Sequence, residues 1–148
     1  MGISDIDSMP WAPEAFITHL AAGWKLAEPE AFIRHFRPLV HPDVVSRQPL
    51  RRPQAGIAAF EQQFRDLFRL LPGATATIKS WASAEPNIYV EFELHAPGRR
   101  RPLHMGTCDR FTLSGGLITE RVVYSDPAPL LSFLARQPGR WPRLLSAS

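Results

Sequence analysis

The sequence contains little of several residue types that would point to a particular compartment or chemistry. Its 148 residues include a single cysteine, Cys108, so an internal disulfide and a paired-cysteine zinc site are both excluded. No run reaches the roughly 18 apolar residues that a membrane span needs. Asp5 and Asp7 stand where an export signal would carry basic residues. We therefore expect a cytoplasmic protein with no membrane partner.

Lysine is also scarce, so the positive charge of the chain is carried mainly by arginine. The net charge is only +3, and the arginines gather in Pro- or Gly-rich connections without the interleaved aromatic residues of single-strand binders. The three clusters are Arg47/Arg51/Arg52, Arg99/Arg100/Arg101 and Arg136/Arg140/Arg143. This pattern favours solvated loops, and we expect no nucleic-acid partner.

The first half of the chain shows apolar residues at helical spacing. A stripe of Phe16, Leu20 and Trp24 predicts a helix over 12–27, and Pro29 restarts a short helix with a Phe32, Ile33 and Phe36 face. The longest amphipathic pattern runs from Ile57 to Leu71 and ends at Pro72-Gly73. Three helices are therefore predicted before residue 74.

The segment between the second and third helices carries turn signals. His41-Pro42-Asp43 predicts a break with an aspartate cap. A short strand is then expected from Val44 to Gln48, followed by a basic loop from Pro49 to Gly56.

From Ala74 the period changes to two, which is typical of strands. The clearest alternation places Ile88, Val90, Phe92 and Leu94 on one face. We predict antiparallel strands over 74–83, 88–95, 103–113 and 117–125, and a short helix over 127–136. Helices that precede a meander indicate a single α+β domain with a core over 12–136, a leader over 1–11 and a tail over 137–148.

Four short motifs, in this order of elements, resemble the NTF2-like superfamily and its SnoaL-like branch. They are Glu28-Pro29-Glu30-Ala31-Phe32, His41-Pro42-Asp43-Val44-Val45, Gly56-Ile57-Ala58-Ala59-Phe60, and Asp109-Arg110-Phe111 with Gly116-Leu117-Ile118. The resemblance implies an NTF2-like (cystatin-like) cone, in which a curved, mostly antiparallel sheet wraps around the long helix. It also implies a homodimer through the convex sheet face, and a small apolar ligand bound without metal or cofactor.

The catalytic residues of this branch match the sequence only in part. The position of the proton-shuttling aspartate of ketosteroid isomerases falls on Arg47 or Gln48, and that of their oxyanion tyrosine falls on Leu20. Their second oxyanion group, an aspartic acid kept neutral by an apolar site, matches Asp109.

The epoxide-hydrolase and polyketide-cyclase patterns match less well. The Arg-x-Asp pair of the epoxide hydrolases corresponds to Val90 and Phe92. The aspartate in the last strand of the epoxide hydrolases corresponds to Val123, and the aspartate of the polyketide cyclases occupies nearly the same position. The resemblance therefore implies the scaffold more strongly than the reaction.

Asp109 is the main candidate for chemistry. If it faces the cone, alternation turns Met105, Thr107 and Phe111 inward and Gly106, Cys108 and Arg110 outward. On the next strand the inward residues are then Thr119, Arg121, Val123 and Ser125. Asp109 and Arg121 would face each other, either as a ligand-orienting pair or as a structural ion pair.

The remaining candidates would line the cone or supply a base. His41 or His35 could act as a general base, although a loop-end histidine bonded to backbone is the alternative reading. None of the five histidines shows metal-ligand spacing, so no metal site is predicted. The expected lining residues are Trp24, Phe64, Trp81, Val90, Phe92, Met105, Thr107, Phe111 and Val123.

These residues predict a pocket for a small apolar molecule, and the resemblance implies that it is of polyketide, steroid or terpenoid type. The compatible reactions are cofactor-free acid/base isomerisation, cyclisation or hydrolysis, with Asp109 as acid, Arg121 as its partner and His41 as base. The alternative is a non-catalytic ligand-binding or dimerisation module in which the Asp109–Arg121 pair is architecture.

Overall fold

The structure is a computed structural model that describes residues 12–137. The predicted leader over 1–11 lies outside this range, as does the tail beyond Gln137 with its Gly139-Arg140-Trp141-Pro142 motif. Gln137, which was predicted to belong to the tail, is buried. No helix within 12–137 combines the length and apolar character needed to cross a bilayer.

Four α-helices form within residues 12–137 near the predicted positions, although the first ends at Gly23 and not at Ala27 as predicted. They are α1 (Pro13–Gly23), α2 (Pro29–Phe36), α3 (Ile57–Leu70) and α4 (Ala128–Ala135). The start of α2 is fixed by Glu28, whose carboxylate accepts hydrogen bonds from the backbone N–H groups of Glu30 and Ala31 at 3.1 and 2.7 Å. Pro29 occupies the first turn, where its missing N–H costs nothing.

Six strands form one sheet in the order β2-β1-β6-β5-β4-β3. They are β1 (Val40–Arg47), β2 (Gln54–Ala55), β3 (Thr75–Ala84), β4 (Asn87–Ala96), β5 (Leu103–Ser114) and β6 (Leu117–Tyr124). The last four strands make the predicted antiparallel meander. Strand β1 joins it by pairing parallel with β6, so the sheet is mixed.

Two predictions about the segment before α3 are wrong. His41-Pro42-Asp43 lies inside β1 rather than in a turn, because a 3-10 turn at Arg37–Leu39 already ends the helical segment. The β1–β6 register shifts between Val40 and Val45, and such an irregularity admits a proline, which has no N–H for the ladder. The predicted loop over 49–56 contains the two-residue strand β2.

The core lies between one face of the sheet and the helices, and aromatic side chains fill much of it. The Phe32 ring is 4.7 Å from those of both Trp24 and Phe64, measured between centroids. Trp24 also contacts Phe92 of β4, with centroids 5.9 Å apart. These contacts join α1, α2, α3 and the sheet, so the cone interior is largely occupied by the protein's own side chains.

Truncation of Phe32 tests this view of the core. Phe32 is 1% exposed, so Phe32→Ala removes a fully buried ring and should lower the free energy of unfolding by about 3–5 kcal/mol. Urea denaturation followed by circular dichroism measures the change. Leu131→Ala is the control, since Leu131 is exposed and should change stability by less than about 0.5 kcal/mol. Equal effects of the two substitutions would contradict the packing described.

Candidate functional site

The centre of the candidate site is a buried ion pair on the concave face of the sheet. In the β5–β6 register Asp109 lies opposite Val123 and Phe111 lies opposite Arg121, so the two charged residues are diagonal neighbours on one face. Arg121 Nε donates to Asp109 Oδ2 at 2.8 Å. Asp109 is 2% exposed and Arg121 8% exposed. The predicted inward orientation of Asp109 is confirmed, and so is its pairing with Arg121.

An aromatic ring of the long helix also contacts this guanidinium. The Arg121 guanidinium carbon lies 4.9 Å from the Phe64 ring centroid, close enough for a cation–π interaction. The positive charge is therefore in contact with both a carboxylate and the face of a ring. This contact packs Arg121 of β6 against Phe64 of α3 beside the buried ion pair.

Several polar atoms around the ion pair lack a hydrogen-bond partner among residues 12–137. They are Asp109 Oδ1, Thr107 Oγ1 and Ser46 Oγ, all of them buried. Ser46 pairs with Arg121 across the β1–β6 ladder, so its hydroxyl belongs to the same part of the concave face. The ion pair thus uses one carboxylate oxygen. The other accepts no hydrogen bond of good geometry from residues 12–137, although the Thr107 hydroxyl is close enough to lower the pKa of Asp109.

The protonation of Asp109 reflects two opposing influences. Burial removes water from the carboxylate and raises the pKa of Asp109 above its ordinary value, and this dominates over the opposing effects of Arg121 and Thr107, which lower it. A carboxyl group with a raised pKa can act as a proton donor or as a hydrogen-bond donor to a carbonyl oxygen.

The predicted inward set on β6 needs one correction. The β5–β6 register shifts between Thr112 and Leu113, so that Leu113 pairs with Ile118 and Thr112 with Glu120. The unpaired residue at this bulge is Thr119, and its hydroxyl donates to the backbone carbonyl of Thr112 at 3.1 Å. Ile118, at 1% exposure, is buried in its place. Simple alternation fails because a bulge inserts one residue into the strand.

A chain of amide side chains was missed by the sequence analysis. Gln48 Nε2 donates to Gln63 Oε1 at 2.7 Å, and Gln63 Nε2 donates to Gln54 Oε1 at 2.9 Å. Gln63 is buried on α3 beside Phe64. A glutamine between Phe60 and Phe64 on an otherwise apolar face was the available signal.

The two histidines predicted as bases lie elsewhere in the fold. His35 stacks on His19 with ring centroids 3.8 Å apart, and each Nε2 lies 2.7 Å from the backbone carbonyl of the other residue. Because a carbonyl only accepts, each Nε2 carries a proton, and the two rings fasten α1 to α2. His41 precedes Ser46, the partner of Arg121, by five residues of β1, or about 16 Å of extended chain.

The predicted lining residues fall into three groups. Trp24, Phe64, Val90, Phe92, Met105 and Phe111 are buried in the core. Thr107 and Val123 are half-buried, and Ser125 follows the end of β6. Trp81 is 38% exposed on the edge strand β3, beside Val90 of β4. Trp81 therefore lies at the rim of the sheet rather than in the interior.

Two hollows on the described part of the chain lie away from the ion pair. A depression of about 820 Å³ lies between the β4–β5 connection and α4, and its walls include Arg99, Arg100, Arg101, Leu103, Phe133 and Arg136. A notch of about 10 Å³ lies between α2 and α3. Neither includes Asp109, whose surroundings are closed in this structure.

The curved six-stranded sheet, the long helix packed in its concavity and the two helices before it define an α+β protein of the NTF2-like fold. The model of the SnoaL-like domain family matches residues 14–121, and the chain belongs to this family. No curated protein matches the sequence.

Solved structures show the same fold at low sequence identity. A candidate SnoaL-like polyketide cyclase from Jannaschia sp. CCS1 is 17% identical with a TM-score of 0.71, over 82% of this chain and 90% of that one. IdmH, a candidate polyketide cyclase from Streptomyces antibioticus, is 18% identical with a TM-score of 0.68, over 84% and 99%. A protein with a ketosteroid isomerase-like fold from Catenulispora acidiphila is 17% identical with a TM-score of 0.66, over 79% and 89%.

A double-mutant cycle tests the energetics of the ion pair. Asp109→Leu or Arg121→Met alone leaves an uncompensated buried charge, and each should lower the free energy of unfolding by about 3–5 kcal/mol. The double variant should be more stable than either single variant, by about 2 kcal/mol. Chemical denaturation of the four proteins measures this coupling. Additive losses would show that the two side chains do not interact.

Removal of the Ser46 hydroxyl tests whether it lacks a partner. Ser46→Ala replaces a buried hydroxyl that no group among residues 12–137 bonds with a methyl group, so stability should stay unchanged or rise by about 1 kcal/mol. Thermal denaturation measures this change. A loss of more than about 1 kcal/mol would mean that the hydroxyl makes a stabilising hydrogen bond.

Proposed function

We propose that this protein binds one small, largely apolar molecule of polyketide, steroid or terpenoid type within the cone. A hydroxyl or carbonyl oxygen of the ligand would lie beside Asp109 Oδ1. The observation that carries the proposal is the arrangement of Asp109 Oδ1, Thr107 Oγ1 and Ser46 Oγ, which are buried near the Asp109–Arg121 pair and make no hydrogen bond of good geometry to residues 12–137.

The energetic argument rests on the cost of unpartnered polar groups. A buried donor or acceptor without a partner costs about 1–3 kcal/mol, and native proteins contain few of them. A ligand hydroxyl could donate to Asp109 Oδ1 and accept from the Thr107 hydroxyl, which would recover part of this cost. The apolar surroundings, formed by rings such as Phe64 and Phe111, suit the hydrocarbon part of the same molecule.

The family and the fold neighbours support a ligand of this class. Candidate polyketide cyclases share the fold of this chain. So does TerC, co-crystallised with polyporic acid, at 15% identity and a TM-score of 0.69, over 83% of this chain and 98% of that one. These likenesses supply the scaffold, whereas the oxygen-binding role of Asp109 rests on the residues of this chain.

Entry of a ligand would require the helical layer to move. Trp24 and Phe32 fill the space beneath the sheet, and the His19–His35 contact holds α1 against α2. If only a fraction of the molecules is open to the ligand, the apparent affinity for the ligand is lowered by that fraction. Slow association of a small ligand would be the kinetic sign of such an opening.

Any reaction at this site would depend on Asp109 as the acid. It is the single buried carboxyl group within 12–137, and its nearest polar neighbours are a guanidinium and a hydroxyl. Isomerisation, cyclisation and hydrolysis can each use a hydrogen-bond donor to a carbonyl oxygen.

The alternative is a module whose buried ion pair is architectural and which binds no such ligand. Homodimerisation through the convex face stays a prediction.

Binding of 2-naphthol and of naphthalene tests the proposal, because the two probes differ by one hydroxyl group. The wild-type protein should bind 2-naphthol at least about tenfold more tightly, since a hydrogen bond to a charged group contributes about 1.5–3 kcal/mol. Amide chemical shifts in NMR titrations should change along Met105–Phe111.

Three variants sharpen the test. Asp109→Asn and Thr107→Val should each reduce the preference for 2-naphthol, and Thr107→Val leaves the ion pair in place. Glu91→Gln is the matched control, because Glu91 lies on the convex face of the neighbouring strand, opposite Cys108. Equal affinity for both probes in the wild-type protein, or shifts confined to convex-face residues, would contradict the proposal.

A further inference from the structure

We propose that Glu93, His95 and His104 form a binding site for a divalent transition metal, best suited to Zn²⁺, on the convex face of the sheet. This inference is independent of the ligand site on the concave face. Sequence spacing gave no sign of it, because the three residues belong to two strands that meet only when the β4–β5 hairpin forms.

The register of the hairpin places the three side chains together. His95 of β4 lies directly opposite His104 of β5, and Glu93 precedes His95 by two residues, which puts it on the same face. The intervening Leu94 is buried on the concave side. One ligand atom from each of the three side chains lies within 4.8 Å of the others.

The distances between these atoms approach those of a coordination shell. His95 Nδ1 is 2.8 Å from His104 Nδ1, and His104 Nδ1 is 3.5 Å from Glu93 Oε1. His95 approaches the same carboxylate oxygen through its other ring nitrogen, Nε2, at 3.7 Å. Tetrahedral zinc with arms of about 2.0–2.1 Å separates its ligand atoms by about 3.4 Å. Small rotations of exposed side chains would therefore admit the ion, and the β4–β5 ladder fixes the positions of their backbones.

The donor set determines the class of metal. Two imidazole nitrogens and one carboxylate suit Zn²⁺, Ni²⁺, Co²⁺ or Cu²⁺, whereas Mg²⁺ and Ca²⁺ prefer oxygen ligands alone. Three protein ligands leave a coordination position for water, as in open zinc sites. The half-exposed side chains give the ion access from solvent, since the His104 side chain is 56% exposed.

Lys79 is a charged neighbour that opposes the metal. Its Nζ lies 3.5 Å from Glu93 Oε2, so it contacts one carboxylate oxygen while Oε1 faces the histidines. The lysine charge weakens the attraction of the site for a cation.

Titration of the metal-free protein with Co²⁺ and Zn²⁺ tests this site. Co²⁺ should give visible d–d absorption that reaches saturation at one ion per chain, and Zn²⁺ should displace it. His95→Ala and His104→Ala should each weaken binding by at least about tenfold. His41→Ala is the matched control, since His41 is a histidine outside the cluster, and it should bind as the wild type does.

Lys79→Met supplies a test in the opposite direction. Removing the competing charge should tighten Zn²⁺ binding by several-fold, roughly the effect of one nearby partly screened charge. Calorimetry measures the change in affinity and confirms the stoichiometry. The proposal is overturned if wild-type protein binds neither ion up to millimolar concentration, or if His95→Ala and His104→Ala bind both ions as tightly as His41→Ala.

Discussion

The contact between Arg121 and Asp109 is the constraint on which the interior of this protein depends. A carboxyl group at 2% exposure among aromatic rings would be strongly disfavoured without a counter-charge. The hydrogen bond from Arg121 Nε makes its burial tolerable, and the Phe64 ring contacts the same guanidinium. The pair consequently links β5, β6 and α3. It leaves one carboxylate oxygen, Asp109 Oδ1, available to a third group.

The fold of this chain does not by itself determine the chemistry of its interior. The SnoaL-like family and the NTF2-like fold account for the curved sheet and its helices, yet a fold of this kind hosts many activities. The resemblance matches Leu20, Val90 and Val123 to positions of catalytic groups in that branch, and this match stays a prediction. Among residues 12–137 the buried polar side chains are one carboxyl group, one guanidinium, and hydroxyl and amide groups.

Sequence patterns predicted the features that depend on local periodicity. The period-two alternation of β5 placed Asp109 inward and Cys108 outward, and the structure confirms this burial. The same reasoning failed at Thr119, because a bulge reverses the alternation and leaves no mark in the residue pattern. It also failed at Pro42, since proline usually ends a strand and only the β1–β6 register shows how it is accommodated.

Two contacts between separate segments were not predicted from the sequence. The Gln48–Gln63–Gln54 chain joins the residue after β1 to α3 and β2, and the His95–His104 contact exists only in the β4–β5 register. Both depend on tertiary geometry rather than on spacing along the chain. His35 illustrates the reverse case, since a residue type suited to catalysis instead fastens two helices together.

The crystal structure of the protein with 2-naphthol bound is the most direct test of the central claim. The account predicts that the ligand oxygen lies within about 3 Å of Asp109 Oδ1, with its rings among the aromatic side chains of the core. Density for 2-naphthol only in the depression beside Arg99 and Phe133 would contradict it, because the buried carboxyl group would then serve the fold alone.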